Sequence, residues 1–170
     1  EEFIATFGKS AFGLKNESPT LIEMTDQVLE KSVVAIHVRR GDYLNYKNSF
    51  GLLTNEYYLA SLKLLSEEKE FSDVMIFSDS PELVVDLSKK IDIQTQVISP
   101  SELSTSETMV LMSRCAGLIT SNSTFSFWAG MLGNDLKVVI PDPWFKSNDA
   151  WLGSADFKHP SWLKQPAGWY

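Results

Sequence analysis

Short apolar runs recur along this chain, separated by helix-like stretches of about ten residues, and that alternation limits the fold more than any other feature. Ser32-Val33-Val34-Ala35-Ile36-His37-Val38 is β-branched and almost wholly apolar, the pattern of a strand covered on both faces in a parallel sheet. Val74-Met75-Ile76-Phe77, Gln96-Val97-Ile98 and Gly117-Leu118-Ile119-Thr120 repeat the pattern, as does Val138-Val139-Ile140, which Pro141 closes. Helical spacing fills the intervals. Leu21, Ile22, Met24, Val28 and Leu29 share one face of a helix over Thr20 to Leu29. Thr54 suits the N-cap of a helix carrying Tyr57, Leu59, Leu62 and Leu65. Pro81, whose missing N–H costs nothing at a first helical position, opens a helix through Leu87. Ser106 to Cys115 and Ser123 to Leu132 complete the set. Strands joined through helices of this length predict βαβ units with right-handed crossovers. The fold class is therefore α/β, a Rossmann-like doubly wound parallel sheet.

The chain has 170 residues, enough for one domain that buries roughly 70% of its unfolded surface without disulfide or metal staples. A single domain over 1–170 is expected, with a helical lead-in over 1–31, a motif-bearing core over 32–146 and a wrapping tail over 147–170. The tail is rich in Trp, Pro and Gly, and no long element is expected in it. A formal charge of −7 argues against a general nucleic-acid or acidic-membrane binder, which would carry a net basic face. The one cysteine, Cys115, excludes an internal disulfide and a multi-cysteine zinc site, and its apolar neighbours mark it as a small core residue. No apolar run approaches the roughly 18 residues of a membrane span, and with the low cysteine count this leans toward a soluble, cytoplasmic or peripheral-membrane protein of a bacterium. The chain opens with Glu1-Glu2 rather than Met and reads as a piece of something longer.

In open α/β sheets ligands bind beyond the carboxyl ends of the strands. The first strand is followed by Arg39-Arg40-Gly41-Asp42-Tyr43, the second by Ser78-Asp79-Ser80, the fourth by Ser121-Asn122-Ser123-Thr124-Phe125-Ser126. Forked guanidinium donors match phosphate oxygens and stay charged at any working pH, so Arg39 and Arg40 can neutralise a diphosphate. A solvated surface pair is the bland reading of the same residues. Arg40-Gly41-Asp42 also spells a cell-adhesion tripeptide, but it abuts a buried strand instead of lying in a free loop. Ser121 to Thr124 set hydroxyls and backbone N–H groups at a helix N-terminus, where the dipole favours an anion. Ordinary N-capping by Ser123 or Thr124 explains one of those hydroxyls. Asp79 can accept from guanine N1–H and N2–H or hold ribose hydroxyls, and can equally cap the helix near Pro81.

Three absences narrow the field. No Asp-x-Asp occurs, so the usual carboxylate grip on a metal-bound nucleotide diphosphate is missing. Neither Gly-x-x-x-x-Gly-Lys nor Gly-x-Gly-x-x-Gly is present, against a P-loop NTPase or a typical NAD-binding domain. His37 and His159 are too far apart for a two-histidine helical metal motif. Arginine, not metal, is expected to neutralise a bound diphosphate.

His37-Val38-Arg39-Arg40-Gly41-Asp42-Tyr43 resembles the first signature of glycosyltransferase family 11, the α-1,2-fucosyltransferases, and more distantly that of α-1,6- and protein O-fucosyltransferases. Phe77-Ser78-Asp79 is similar to the second motif, with Ser80 where the family often has another acidic residue. Leu111-Met112-Ser113-Arg114-Cys115 through Ser121-Asn122-Ser123-Thr124-Phe125-Ser126-Phe127-Trp128-Ala129-Gly130 resembles the third. Val138-Val139-Ile140-Pro141 with Trp144-Phe145 resembles the last. The resemblance implies the C-terminal, donor-binding half of a GT-B enzyme, with the N-terminal half of the same enzyme as its partner. It also implies GDP-β-L-fucose as donor, inverting transfer to the 2-hydroxyl of a galactose-terminated glycan, and no metal or other cofactor.

Under it, Arg39 or Arg40, or both, hold the β-phosphate, Asp42 orients the pair, and His37 lines the guanine or diphosphate site. Ser123, Thr124 and Phe125 cradle phosphates, and Asp79 serves the guanosine. Asp42 and His37 are chemical candidates for the general base, which the absent acceptor half can equally supply. Replacing Arg40 with Ala is expected to weaken GDP binding by about 1.5–3 kcal/mol and leave the fold intact. A transferase of another GDP-sugar, or a nucleotide-binding domain without transferase activity, would carry much the same residues. Asn16-Glu17-Ser18 and Asn122-Ser123-Thr124 fit the glycosylation sequon; the second falls in the expected phosphate site and reads as coincidence.

Overall fold

The computed structural model describes Leu14, residues 16–147, Phe157 and residues 159–170. The expectations for residues 1–13, and for 148–156 of the tail, lie outside the described residues. The first helix, α1 (Pro19–Lys31), starts where Ser18 Oγ accepts the Leu21 N–H at 3.1 Å, with Pro19 in the first turn. It buries Leu21, Met24 and Val28 and leaves Ile22 and Leu29 exposed. Strand β1 (Val33–Val38) follows, buried at every position. A 3-10 turn over Gly41–Tyr46 leads to α2 (Asn55–Ser66), β2 (Asp73–Ser78), α3 (Val85–Lys89) and β3 (Gln94–Ile98). Then come α4 (Thr105–Arg114), β4 (Gly117–Ile119), α5 (Thr124–Leu132), β5 (Lys137–Asp142) and β6 (Leu163–Pro166).

All six strands are parallel, in the order β3-β2-β1-β4-β5-β6. This is the doubly wound Rossmann order, whose direction reverses between β1 and β4. Alternate residues of the central strands feed two cores. Val33, Ala35, Met75, Phe77 and Leu118 pack with Leu21 of α1, Leu111 and Met112 of α4, and Ala129 of α5. Val34, Ile36, Val38, Val74 and Ile119 pack on the other face with Tyr57, Tyr58, Leu62 and Leu65 of α2. A fully buried Leu or Ile contributes roughly 1.5–3 kcal/mol, so this double burial of β1 is why its sequence is apolar throughout. Among the described residues no helix is long and apolar enough to cross a membrane.

Three details depart from the sequence reading. The helix expected from Pro81 through Leu87 is split into a 3-10 turn, Pro81–Leu83, and the short α3, with Val84 at φ −111°, ψ 2° between them. Val84 and Leu87 are both buried in the core on the α2 side, and the bend between the two turns falls at Val84. Strand β5 does not stop before Pro141. Its ladder with β4 ends at Ile119–Val139, so by Pro141 the strand pairs with β6 alone. The tail supplies β6, a sixth strand, where only wrapping segments were expected. Leu163-Lys164-Gln165-Pro166 alternates half-buried and exposed positions at the sheet edge and carries no β-branched run to announce it.

Candidate functional site

A cavity of about 410 Å³ opens at the carboxyl ends of β1, β2 and β3, against the first turns of α4 and α5. That volume lies within the range of small-molecule sites. The end of β1 contributes His37, Arg39 and Tyr43 to its wall, and the end of β2 contributes Phe77, Ser78 and Asp79. Ser123, Thr124 and Phe125 close the side toward β4. The cavity thus lies beside the β1/β4 switch point, where the connections to the two strands diverge to opposite sides.

Arg39 is held from two directions. Its Nη1 lies 2.8 Å from Asp79 Oδ2 and its Nη2 2.7 Å from Asp42 Oδ1, with the guanidinium 5.5 Å from the Tyr43 ring centroid. The other oxygen of Asp79 accepts the Arg40 backbone N–H at 2.9 Å. Both Asp79 oxygens are thus engaged by the loop after β1, while the residue itself lines the cavity. Gly41 is required for this arrangement, because a Cβ there would lie 2.3 Å from Asp79 Oδ2. Asp42 is largely exposed, and its carboxylate reaches Arg39, so the reading of it as orienting both arginines is corrected to one.

Arg40 is placed differently from the expectation. Its side chain is only 5% exposed and does not line the cavity. Nη2 donates to Leu53 O at 2.9 Å, Nη1 to Arg39 O at 3.2 Å, and the guanidinium stands 5.7 Å from the Tyr170 ring centroid. The strand ends at Val38, and beyond it the backbone turns at Arg40 (φ −129°, ψ −78°), so that Arg39 stays on the cavity wall with His37 while Arg40 packs beside Tyr58 of α2. The cavity-facing arginine of the pair is Arg39.

His37 is buried and its Nδ1 lies 2.8 Å from Ser121 Oγ, just past the end of β4. Its ring packs against Phe125 at 5.4 Å between centroids. Burial, aided by the nearby Arg39 charge, pushes the imidazole pKa down to about 3. The ring is therefore neutral at working pH and a poor acceptor of a proton. Tyr43 donates to Asn122 O at 3.1 Å, and burial raises its phenol pKa. Asn122 is buried, its amide donating to Phe50 O at 2.8 Å, so this sequon asparagine is inaccessible for glycosylation. Ser123 caps α5, its hydroxyl accepting the Phe125 N–H at 3.4 Å. Further N–H groups of that first turn have no partner within the helix. Among the described residues no three His, Cys, Asp or Glu side chains are grouped to hold a metal ion.

The remaining wall carries residues the sequence reading passes over: Ile98 at the end of β3, Ser99, Pro100 and Leu103 after it, and Thr105 and Thr108 on α4. No charge or glycine marks the end of the third strand, so only the strand-end rule, applied evenly to every strand, points there.

A family model described as "Glycosyl transferase family 11" matches residues 21–165. An α-1,2-colitosyltransferase of Escherichia coli is 32% identical over 148 residues, covering 84% of this chain and 50% of its own length. The E. coli O-antigen biosynthesis glycosyltransferase WbnK is 28% identical over 134 residues, covering 71% of this chain and 44% of its own. The chain spans about half the length of the curated relatives it matches. A crystal structure of POFUT1 in complex with GDP has a TM-score of 0.53 at 15% identity, over 72% of this chain and 46% of that one. The E. coli ADP-heptose LPS heptosyltransferase II has a TM-score of 0.52 at 13% identity, over 75% of this chain and 39% of that one. At these identities the likeness is one of fold, the Rossmann-like fold of GT-B transferases.

Proposed function

Because this chain belongs to glycosyltransferase family 11, we propose that it supplies the donor site of an inverting transferase. The reaction moves L-fucose from GDP-β-L-fucose to the 2-hydroxyl of a terminal galactose on a glycan, without a metal ion. The observation that carries this reading is the cavity with Arg39, clamped by Asp42 and Asp79, on one side and the first turn of α5 on the other. The acceptor oxygen attacks the anomeric carbon as its bond to the β-phosphate oxygen breaks, and GDP departs with the bonding pair. A preorganised guanidinium and the N–H groups of α5 stabilise the charge that grows on that diphosphate, an effect worth several kcal/mol in a site that excludes water.

The proton of the acceptor hydroxyl must also leave. His37, neutral and with its pKa near 3, is unsuited to take it, and Asp42 is engaged with Arg39. The acceptor wall, in the remaining half of the enzyme, is where we place that task. The 32% identity to a colitosyltransferase favours one second reading, the same chemistry with a different sugar on the nucleotide. A role in building a bacterial surface polysaccharide accords with the O-antigen relative.

Calorimetric titration with GDP in EDTA, with UDP and ADP as controls, tests the donor site. GDP-selective binding is the expected result. Absence of GDP binding by both this chain and the full-length enzyme would overturn the reading. Turnover assays of the full-length enzyme with GDP-fucose and other GDP-sugars then separate the two donors.

A further inference from the structure

We propose that Ser121 and His37 form a fixed donor pair, in which the Ser121 hydroxyl donates to Nδ1 and the ring presents Nε2–H to an anionic oxygen in the cavity. The proposal rests on the donor-site reading above and adds Ser121 to it as a positioning residue. The pair joins the two strands that flank the switch point, β1 and β4, at 2.8 Å. Ser121 is 1% exposed, and its Oγ has no second partner among the described residues.

That isolation decides the proton. If Nδ1 carried the hydrogen, the Ser121 hydroxyl would accept it and leave its own hydrogen buried without an acceptor, a costly arrangement. If the hydroxyl donates instead, both groups are satisfied, Nδ1 is the acceptor and the neutral ring carries its hydrogen on Nε2. His37 lines the cavity, and Nε2 has no partner among the described residues. The ring rests on Phe125 in the first turn of α5, and Arg39 lies on the same wall. An oxygen bound between Arg39 and that turn is the acceptor this donor faces. The ring thus supplies a directional hydrogen bond with no added charge, beside an arginine that supplies the charge.

Long-range ¹⁵N NMR of the histidine rings, with His159→Gln to assign the two, reads the tautomer directly. The expected spectrum shows a protonated Nε2 and an acceptor-type Nδ1; a protonated Nδ1 would overturn the proposal. GDP and inorganic pyrophosphate should each move the Nε2–H resonance, and guanosine should not. A shift with guanosine alone would overturn the anion assignment. Calorimetric GDP binding without any His37 shift would overturn the donor pair and spare the nucleotide site. No GDP binding at all would overturn the nucleotide site, and with it the ligand part of this proposal, while the tautomer still stands or falls on the spectrum. Substitution gives a second readout, because a Gln amide nitrogen sits near the place of Nε2 and an Asn amide nitrogen near that of Nδ1. His37→Gln should hold GDP affinity within about threefold and His37→Asn should lose about tenfold, with melting temperatures confirming that both fold. Equal losses in the two variants would overturn the donor role.

Discussion

Asp79 Oδ2 lies 2.8 Å from Arg39 Nη1 while Asp79 Oδ1 accepts the Arg40 backbone N–H, so one carboxylate at the end of β2 fixes the loop that leaves β1. Asp79→Ala should free Arg39 and leave that N–H unpaired, lowering stability by about 1–3 kcal/mol and weakening GDP binding as well. Gly41→Ala should act through the same oxygen, which a Cβ would approach to 2.3 Å. A double-mutant cycle on GDP affinity should therefore show the two losses strongly non-additive. Simple additivity would mean that Asp79 and Gly41 act apart.

The two arginines should divide binding from stability. Arg39→Ala should weaken GDP binding by about 1.5–3 kcal/mol with little change in denaturant midpoint. Arg40→Ala should do the reverse. It strips a donor from Leu53 O and opens a gap beside Tyr170, and its signature is a loss of unfolding free energy of about 1–3 kcal/mol. Calorimetry and urea unfolding on both variants check the division. Equal loss of GDP affinity with equal stability would contradict it.

Acid should act on the fold through His37. Its folded pKa is about 3 against an ordinary 6.5, so between those values the unfolded chain binds a proton that the folded one refuses. Stability is thus unaffected by this group above pH 6.5 and falls as pH drops below it, with a slope approaching 1.4 kcal/mol per pH unit. Urea unfolding across pH 7 to 4 should show that limb in the wild type and a flatter one in His37→Gln. Identical slopes would remove His37 as its source.

Glu107 sets a second acid limb. Hydrogen bonds from Ser18, then from Ser104, hold its carboxyl at about 2, below the usual 4.5. A depressed carboxyl contributes stability that is present above 4.5 and lost as pH falls toward 2. Glu107→Gln should be less stable at neutral pH and flatter in that window. Ser104→Ala, which removes the hydroxyl half of the capping box, should cost about 1 kcal/mol by urea unfolding.

The apolar β-branched runs by themselves determined β1, β2, β4 and β5, because a strand buried on both faces can be built from little else, while the edge strand β3, of which only Ile98 is buried, followed from the alternation with helices. They also determined where to look, since the strand-end rule leads to His37, Arg39, Asp79 and Ser123 to Phe125, which all line one cavity. The polar edge strand β6 left no such signature, because one side of it meets no neighbouring strand and its exposed positions need no apolar residue. Arg39-Arg40 could not be resolved into a cavity-facing and a core-facing arginine from sequence. Past Val38 the backbone leaves the strand, with Arg40 at φ −129°, ψ −78°, and its path is set by packing on α2. Asp79 meets the arginine loop across 39 residues of chain, and Ser121 meets His37 across 84. Local propensity carries no information over such separations; only the pairing of β1 with β2 and with β4 brings those side chains within hydrogen-bonding distance.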